Sequence, residues 1–294
     1  MPVRTSCRLL LVLGLALGHD DLASQAEPPV TLLPAAPVSA RNASLAGAAT
    51  AMIGYAGSVF TNPSGIAPIR IMSLEGGFAR LSDSTTYLMG AAAVRLGPVN
   101  VGAGARYLRF DAGHALYDNL ETVLAGVARI HGIALGVAGN YFAIEDSAGR
   151  YTRSVTTDAS LTVAFFDIAA LALSVQNIGT IPVSGESIDL PGSVRLGFSL
   201  NLIDTYSNWR LLATVEQVWS EGDARTLFGL EGGAVFYGVG LVGRFGAGAQ
   251  PAGSPYSSPA WGASLVLGRG AVDYAYARRP GLKPVHLIGL RLTP

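Results

Sequence analysis

From about residue 69 to residue 293 the chain alternates apolar and polar residues, and this alternation constrains its fold more than any other feature. Successive side chains of a strand point to opposite faces, so a period of two means a sheet with two chemically different sides. The clearest stretch runs from Trp209 to Trp219. One face carries Trp209, Leu211, Ala213, Val215 and Trp219, and the other carries Arg210, Thr214 and Glu216. The two tryptophans bound the apolar face and are separated by about 33 Å of strand. Tilted by roughly 40°, such a strand covers about 25 Å of height, the apolar band of an outer-membrane barrel. Trp and Tyr favour the two membrane interfaces because their rings are apolar with one polar atom.

Composition agrees with a barrel. Half of the residues are hydrophobic and 14% are charged, against a usual quarter. Mean hydropathy is +0.39. Yet no run of 18 apolar residues occurs, so no helix is expected to span a bilayer. A barrel reconciles the two facts, because it satisfies its backbone hydrogen bonds between strands. The 20 acidic and 20 basic residues balance to zero, which points away from nucleic acid and from strong ion steering.

Residues 1–26 read as a secretory signal. Arg4 and Arg8 precede an apolar stretch from Leu9 to Gly18, and Ser24-Gln25-Ala26 offers a cleavage site, with Gly18 as an earlier alternative. Cys7 lies before the apolar stretch, which argues against a lipid anchor. Removal of the signal leaves no cysteine for a disulfide, a thiol nucleophile or a metal site. Residues 27–38, rich in Pro and Ala, read as a flexible lead-in.

Residues 39–68 differ in character from the alternating segments beyond them. They begin with a small-residue stretch, Ser44 to Met52, able to form one or two helical turns. Gly47, Gly54 and Gly57 punctuate the segment, which ends on the turn-forming Asn62-Pro63-Ser64-Gly65. Those four residues read either as an ordinary turn into the first strand or as the turn that lets residues 39–68 re-enter a barrel as a hatch.

Fourteen strand candidates come next, near 70–81, 84–96, 98–110, 119–130, 132–145, 153–166, 167–178, 190–202, 207–219, 224–235, 236–247, 258–268, 270–279 and 284–293. Twelve is the alternative count. The joins at Gly97-Pro98 and near residue 131 are short; those at 111–118, 146–152, 179–189 and 248–257 are longer. Outer-membrane barrels show this asymmetry, with short periplasmic turns and longer outer loops. Mid-strand charges of both signs gather on the polar faces, with Arg106, Asp158, Arg195, Arg210, Glu216, Glu231 and Arg244 as lumen-facing candidates. Facing lipid at mid-depth, each arginine would cost roughly 2–4 kcal/mol. Inside, opposite charges can pair and stiffen the wall. Trp209, Trp219, Tyr237 and Phe245 are candidates for the aromatic girdle. Arg80 shares a face with Leu74 and Phe78, as a rim residue that snorkels would.

The stretch Ala40 to Ala51, followed by Ser58-Val59-Phe60-Thr61-Asn62-Pro63-Ser64-Gly65-Ile66-Ala67, resembles the N-terminus of FadL-like outer-membrane proteins, with Ser64 in place of the usual Ala. Leu173 to Gly179, Val272 to Ala277 and His286 to Leu292 resemble the compact PorV/PorQ branch of that superfamily. The resemblance implies one transmembrane antiparallel barrel of about fourteen strands over residues 69–294, with residues 39–68 as a lumenal hatch. FadL-type members pass long-chain fatty acids or other hydrophobic compounds. PorV/PorQ-type members serve type IX secretion as scaffolds for secreted cargo. The chain ends in Leu292-Thr293-Pro294 and not in the terminal aromatic of many barrels, and it lacks the long outer loops of fatty-acid transporters. The second departure favours the secretion scaffold, with passive transport of hydrophobic compounds as the alternative and a soluble all-β secreted protein as a third reading. Expected partners are outer-membrane lipid, with secretion-system proteins or cargo, or hydrophobic small molecules.

No catalytic set emerges. His19, His114, His131 and His286 form no ligand-spaced cluster with acids, so neither a metal nor a cofactor is expected. His286 is the one conceivable base for a Ser-His-acid group. Gly102-Ala103-Gly104 lies inside a strand candidate with no helix after it, unlike a nucleotide fingerprint. Interior glycines of this kind suit close packing of strands and lumen side chains.

Overall fold

Backbone groups in hydrocarbon must find their partners within the protein. The alternating segments meet this demand by pairing antiparallel in one closed ring of fourteen strands. The computed structural model describes residues 33, 36–82, 85–111, 116–145, 149–166, 168–184, 190–204, 209–220, 223–248, 259–278 and 284–294. The signal segment, most of the lead-in, His19 and His114 lie outside the described residues.

The strands are Met72–Ser82 (β1), Thr85–Leu96 (β2), Val99–Asp111 (β3), Leu116–Ile130 (β4), Ile133–Glu145 (β5), Tyr151–Phe165 (β6), Ala169–Ser184 (β7), Ser193–Asp204 (β8), Trp209–Ser220 (β9), Asp223–Phe236 (β10), Val239–Gly248 (β11), Ala260–Leu267 (β12), Gly270–Ala277 (β13) and Val285–Leu292 (β14). Each pairs with its neighbour in sequence, and β1 closes the ring on β14 through the register Phe78 opposite Ile288. The fourteen-strand count holds.

Burial follows the alternation. In β5 Leu135 and Val137 are about three-fifths exposed, while Ala134 and Ala138 are buried. The exposed set, with Leu124, Leu241, Ile288 and Leu290, forms an apolar outer wall. Trp209 stands at the short-turn end, edge-on to Phe236 at 5.8 Å. Trp219 stands at the long-loop end, beside Ser220, the last residue of β9. Tyr237 is not at the start of a strand, where the sequence pattern put it. It forms the β10–β11 turn with Gly238, both at positive φ (50° and 81°), and is fully exposed. Two consecutive residues at positive φ match the twist of a tight hairpin, which the flanking apolar residues concealed.

A second boundary differs. The spacing ends a strand at residue 178 and starts a loop at 179, but β7 continues to Ser184. Asn177 and Gly179 take positive φ (56° and 64°) inside the strand, where the β6–β7 register shifts. They are bulge residues, and a bulge uses the same residue types as a turn.

Residues 36–70 fill the lumen. A five-residue helix, Ala40–Ser44, is capped by the Ser39 hydroxyl, which accepts from the Asn42 N–H at 3.1 Å. Two 3-10 turns come after it, Ala56–Phe60 and Pro63–Ile66. Ala36 and Val38, expected in a flexible lead-in, are buried here. The Arg106 guanidinium explains this, because its Nη1 donates to the Ala36 carbonyl at 3.1 Å.

Candidate functional site

Between Glu27 and Arg70 the chain carries one charged residue, Arg41. A buried charge needs a partner. Arg41 finds it across the lumen, where its Nε and Nη2 donate to the two Glu231 carboxylate oxygens, both at 2.8 Å. Glu231 also accepts from Arg244 Nε at 2.7 Å, and Arg244 Nη1 reaches Asp273 at 3.2 Å. Arg291 completes the chain on the other Asp273 oxygen at 3.4 Å. The Arg41 guanidinium lies over the Tyr55 ring at 5.1 Å. Burial alone would pull Arg41 below its ordinary pKa, but the Glu231 carboxylate more than offsets this and holds it above. Burial also pushes the Tyr55 hydroxyl up, so it stays neutral.

The other wall charges grip the same segment. Glu216 accepts the Thr50 N–H at 2.8 Å and the Arg195 Nε at 2.7 Å. Arg195 donates to the Gly47 carbonyl at 3.0 Å. Glu75 accepts the Gly57 N–H at 2.9 Å. Arg106 pairs with its cross-strand neighbour Glu121. Neutral wall residues take the remaining carbonyls. Asn100 donates to Ile66 and Ile69, Gln176 to Phe60, and Ser199 to Ala51. The interior charges therefore do more than stiffen the wall; they supply hydrogen bonds that an irregular segment cannot make to itself. Asp158 is an exception, since it accepts from the bulged Asn177 N–H at 2.8 Å and holds the wall. Arg210 is another: it stands exposed at the short-turn mouth and donates to Asn201 at 3.3 Å.

Asn62-Pro63-Ser64-Gly65 forms the second 3-10 turn, with Pro63 at its first position and the Gly65 N–H donating to the Asn62 carbonyl at 2.8 Å. The Asn62 side chain donates to the Thr50 carbonyl at 2.7 Å and to Thr162 of β6 at 3.1 Å. It thereby ties two limbs of the plug to each other and to the wall. The Ser64 hydroxyl donates to Asn62 at 2.6 Å and shares a hydrogen bond with Thr162 at 2.7 Å. The Gly54 N–H donates to the Gly65 carbonyl at 2.8 Å, with Gly54 at φ 95°. Asn62→Ala leaves a buried carbonyl and hydroxyl without their donor and acceptor. It is expected to cost about 1–3 kcal/mol, read as an earlier thermal transition in detergent.

Inward glycines receive the plug. A Cβ on Gly102 would stand 2.6 Å from Val59, one on Gly104 2.5 Å from Phe60, and one on Gly197 2.9 Å from the Ala51 nitrogen. On Gly246 it would strike the Leu45 backbone, and on Gly136 the Ser64 nitrogen. Gly90, Gly126, Gly139 and Gly243 have nothing within 4 Å of that position.

Beneath the plug, at the short-turn end, lies a chamber of about 400 Å³. Met52, Ile53 and Pro68 of the plug face Ile168, Ala170 and Leu212 across it, and Arg129, His131 and Arg210 stand at its rim. Its volume falls within the roughly 300–1,000 Å³ of small-molecule sites. Among the described residues no group of three or more His, Cys, Asp or Glu is placed to hold a metal. His286 does not face the lumenal serines. It lies on the outer wall, and its Nδ1 shares a hydrogen bond with the Tyr274 hydroxyl at 2.7 Å.

No protein-family model matches the chain, and no curated protein matches it. Solved structures do. The toluene transporter TodX of Pseudomonas putida aligns over 86% of this chain and 96% of its own, with a TM-score of 0.59 at 9% identity. The monoaromatic hydrocarbon channel CymD aligns over 88% and 97%, with a TM-score of 0.59 at 11% identity. A FadL homologue from Pseudomonas aeruginosa aligns over 87% and 98%, with a TM-score of 0.51 at 9% identity. The chain thus shares its fold with these channels, here a fourteen-stranded barrel with its N-terminal segment in the lumen.

Proposed function

We propose that the barrel passes hydrophobic small molecules passively across the outer membrane, with residues 39–68 as the hatch that shuts the lumen. The observation that carries this reading is the chamber beside the hatch. Its walls mix apolar Met52, Ile53, Ala170 and Leu212 with polar Ser64, Thr162, Ser199 and Asn201, and the apolar part suits a hydrophobic solute. The hatch hangs on side-chain hydrogen bonds and not on the strand ladder, so it can shift without opening the barrel. The structural likenesses to toluene and monoaromatic hydrocarbon channels support the same reading. They lend no support to the secretion scaffold, which rests on the PorV/PorQ resemblance and the short outer loops.

Ala170→Trp tests the chamber. Ala170 is buried on the inner face of β7 and lines the cavity. An indole there fills the space, and the initial rate of labelled toluene uptake by cells carrying the variant is expected to fall severalfold. Leu171→Trp, one residue on and outward-facing, should leave the rate unchanged. Equal rates for both variants would remove the chamber from the path.

A further inference from the structure

The outer surface of the wall carries a row of aromatic and cationic side chains that passage through the lumen does not use. Cross-strand partners place Trp261 of β12 opposite Tyr276, Tyr276 opposite His286, His286 opposite Arg80, Arg80 opposite Thr86 and Thr86 opposite Arg109. All lie in the outward register near the long-loop ends of their strands, and Trp261, His286, Arg80 and Arg109 are exposed. Neighbouring strands are about 4.8 Å apart, so the three steps from Trp261 to Arg80 span about 14 Å.

The row is ordered. Trp261 stacks on Tyr276 with centroids 5.1 Å apart and planes 24° apart. Tyr276 meets the His286 ring edge-on at 5.4 Å. The Tyr274 hydroxyl fixes that ring through Nδ1. Farther along, Arg109 lies 4.0 Å from Asp118. One outward position toward the middle of the membrane, the corresponding row is apolar: Ile288 lies opposite Phe78, and Phe78 opposite Leu88. All three are about half exposed.

An aromatic girdle explains the rings but not the arginines beside them. A lipid-facing arginine costs least at the interface, about 0–1 kcal/mol, and anionic headgroups attract it there. Arg80 of β1 and Arg109 of β3 flank Thr86 of β2, two strand spacings or about 10 Å apart. Guanidinium groups recognise phosphate by paired N–H donors. Flat aromatic faces suit the apolar faces of sugar rings, and exposed Phe and Ile suit acyl chains. With short turns periplasmic, the long-loop end faces the outer leaflet.

We propose that this row is a binding site for a phosphorylated glycolipid of the outer leaflet. Arg80 and Arg109 take phosphate, the Trp261–Tyr276 stack takes the sugar, and Phe78, Ile288 and Leu88 take the acyl chains. The site rests on the placement of the barrel in the outer membrane and is independent of whether the lumen passes a solute.

The test is native mass spectrometry of the full chain released from nanodiscs of phosphatidylcholine doped with bisphosphorylated lipid A or, in parallel, with phosphatidylglycerol. The wild type is expected to retain lipid A in preference to phosphatidylglycerol. Arg80→Gln combined with His286→Gln, and separately Trp261→Ala, should reduce the retained lipid A severalfold. Arg269→Gln, at the short-turn end, should not. Heat-modifiable migration on a gel confirms that each variant is a folded barrel. Equal retention of the two lipids by the wild type, or unchanged retention of lipid A by both folded row variants, would overturn the site.

Discussion

Deletion of residues 39–68 should turn an ion-tight barrel into a conducting pore. Eight strands close a barrel that its own side chains fill, whereas sixteen to eighteen leave a water channel. Fourteen strands lie between, and here the space is taken up by the plug. Its removal takes their plug partners from Glu231, Glu216, Glu75, Asn100, Gln176 and Ser199, and water takes those places. Inward glycines at 102, 104, 136, 197, 229 and 246 leave the wall bare where the plug stood. The strand ladder makes no use of the deleted residues, so the barrel should still assemble. In planar bilayers the intact protein is expected to stay closed and the truncated one to conduct. Ion selectivity should be weak, because the wall arginines pair with carboxylates: Arg106 with Glu121, Arg195 with Glu216, Arg244 with Glu231 and Arg291 with Asp273. A closed truncated protein would mean that residues 39–68 do not seal the lumen.

Glu231→Gln should be the most damaging single substitution in the lumen. The change keeps the shape and removes the negative charge between Arg41 and Arg244. Breaking a buried pair from one side costs about 3–5 kcal/mol, because it leaves the other charge uncompensated. Here one carboxylate answers two guanidinium groups, so Arg41 is stranded and Arg244 is left with Asp273. The loss should appear as an earlier thermal transition and as brief openings in the bilayer trace as the helix Ala40–Ser44 lets go. Adding Arg41→Met removes the stranded charge. The double variant should therefore be less destabilised than the sum of the two single ones, and the double-mutant cycle reads that coupling directly. Additive losses would mean that Arg41 and Glu231 do not act as a pair.

The barrel was legible in the sequence because membrane strands obey one simple rule, alternation with charges inside, and β5 and β9 obey it along most of their length. The boundaries failed where turn residues serve another purpose, as at Asn177 and Gly179, or where a bulky residue serves in a turn, as at Tyr237. The plug was legible as a segment of different composition ending in Asn-Pro-Ser-Gly, but its partners were not. Pairing across a lumen depends on the register of many strands, which no single strand encodes. Two signals in the chain did point to it. Arg41 is the lone charge in a long neutral stretch and so required a buried acid. The glycines at inward positions of β3, β5, β8, β10 and β11 mark where the plug comes close, and their outward counterparts Gly126 and Gly243 mark nothing of the kind. Ser64, a mild departure from the FadL-like pattern, proves to be a working part of the turn through its bonds to Asn62 and Thr162.

The central claim, passage of apolar solutes through an ion-tight barrel, is tested most directly by uptake of labelled toluene and oleate into cells stripped of their own hydrophobic-solute channels and expressing this chain, with bilayer conductance recorded on the same purified protein. The expected result is uptake of at least one of the two above the empty-vector rate, from a protein that passes no ions. Uptake of both at the empty-vector rate, with the barrel folded in the outer membrane, would contradict it.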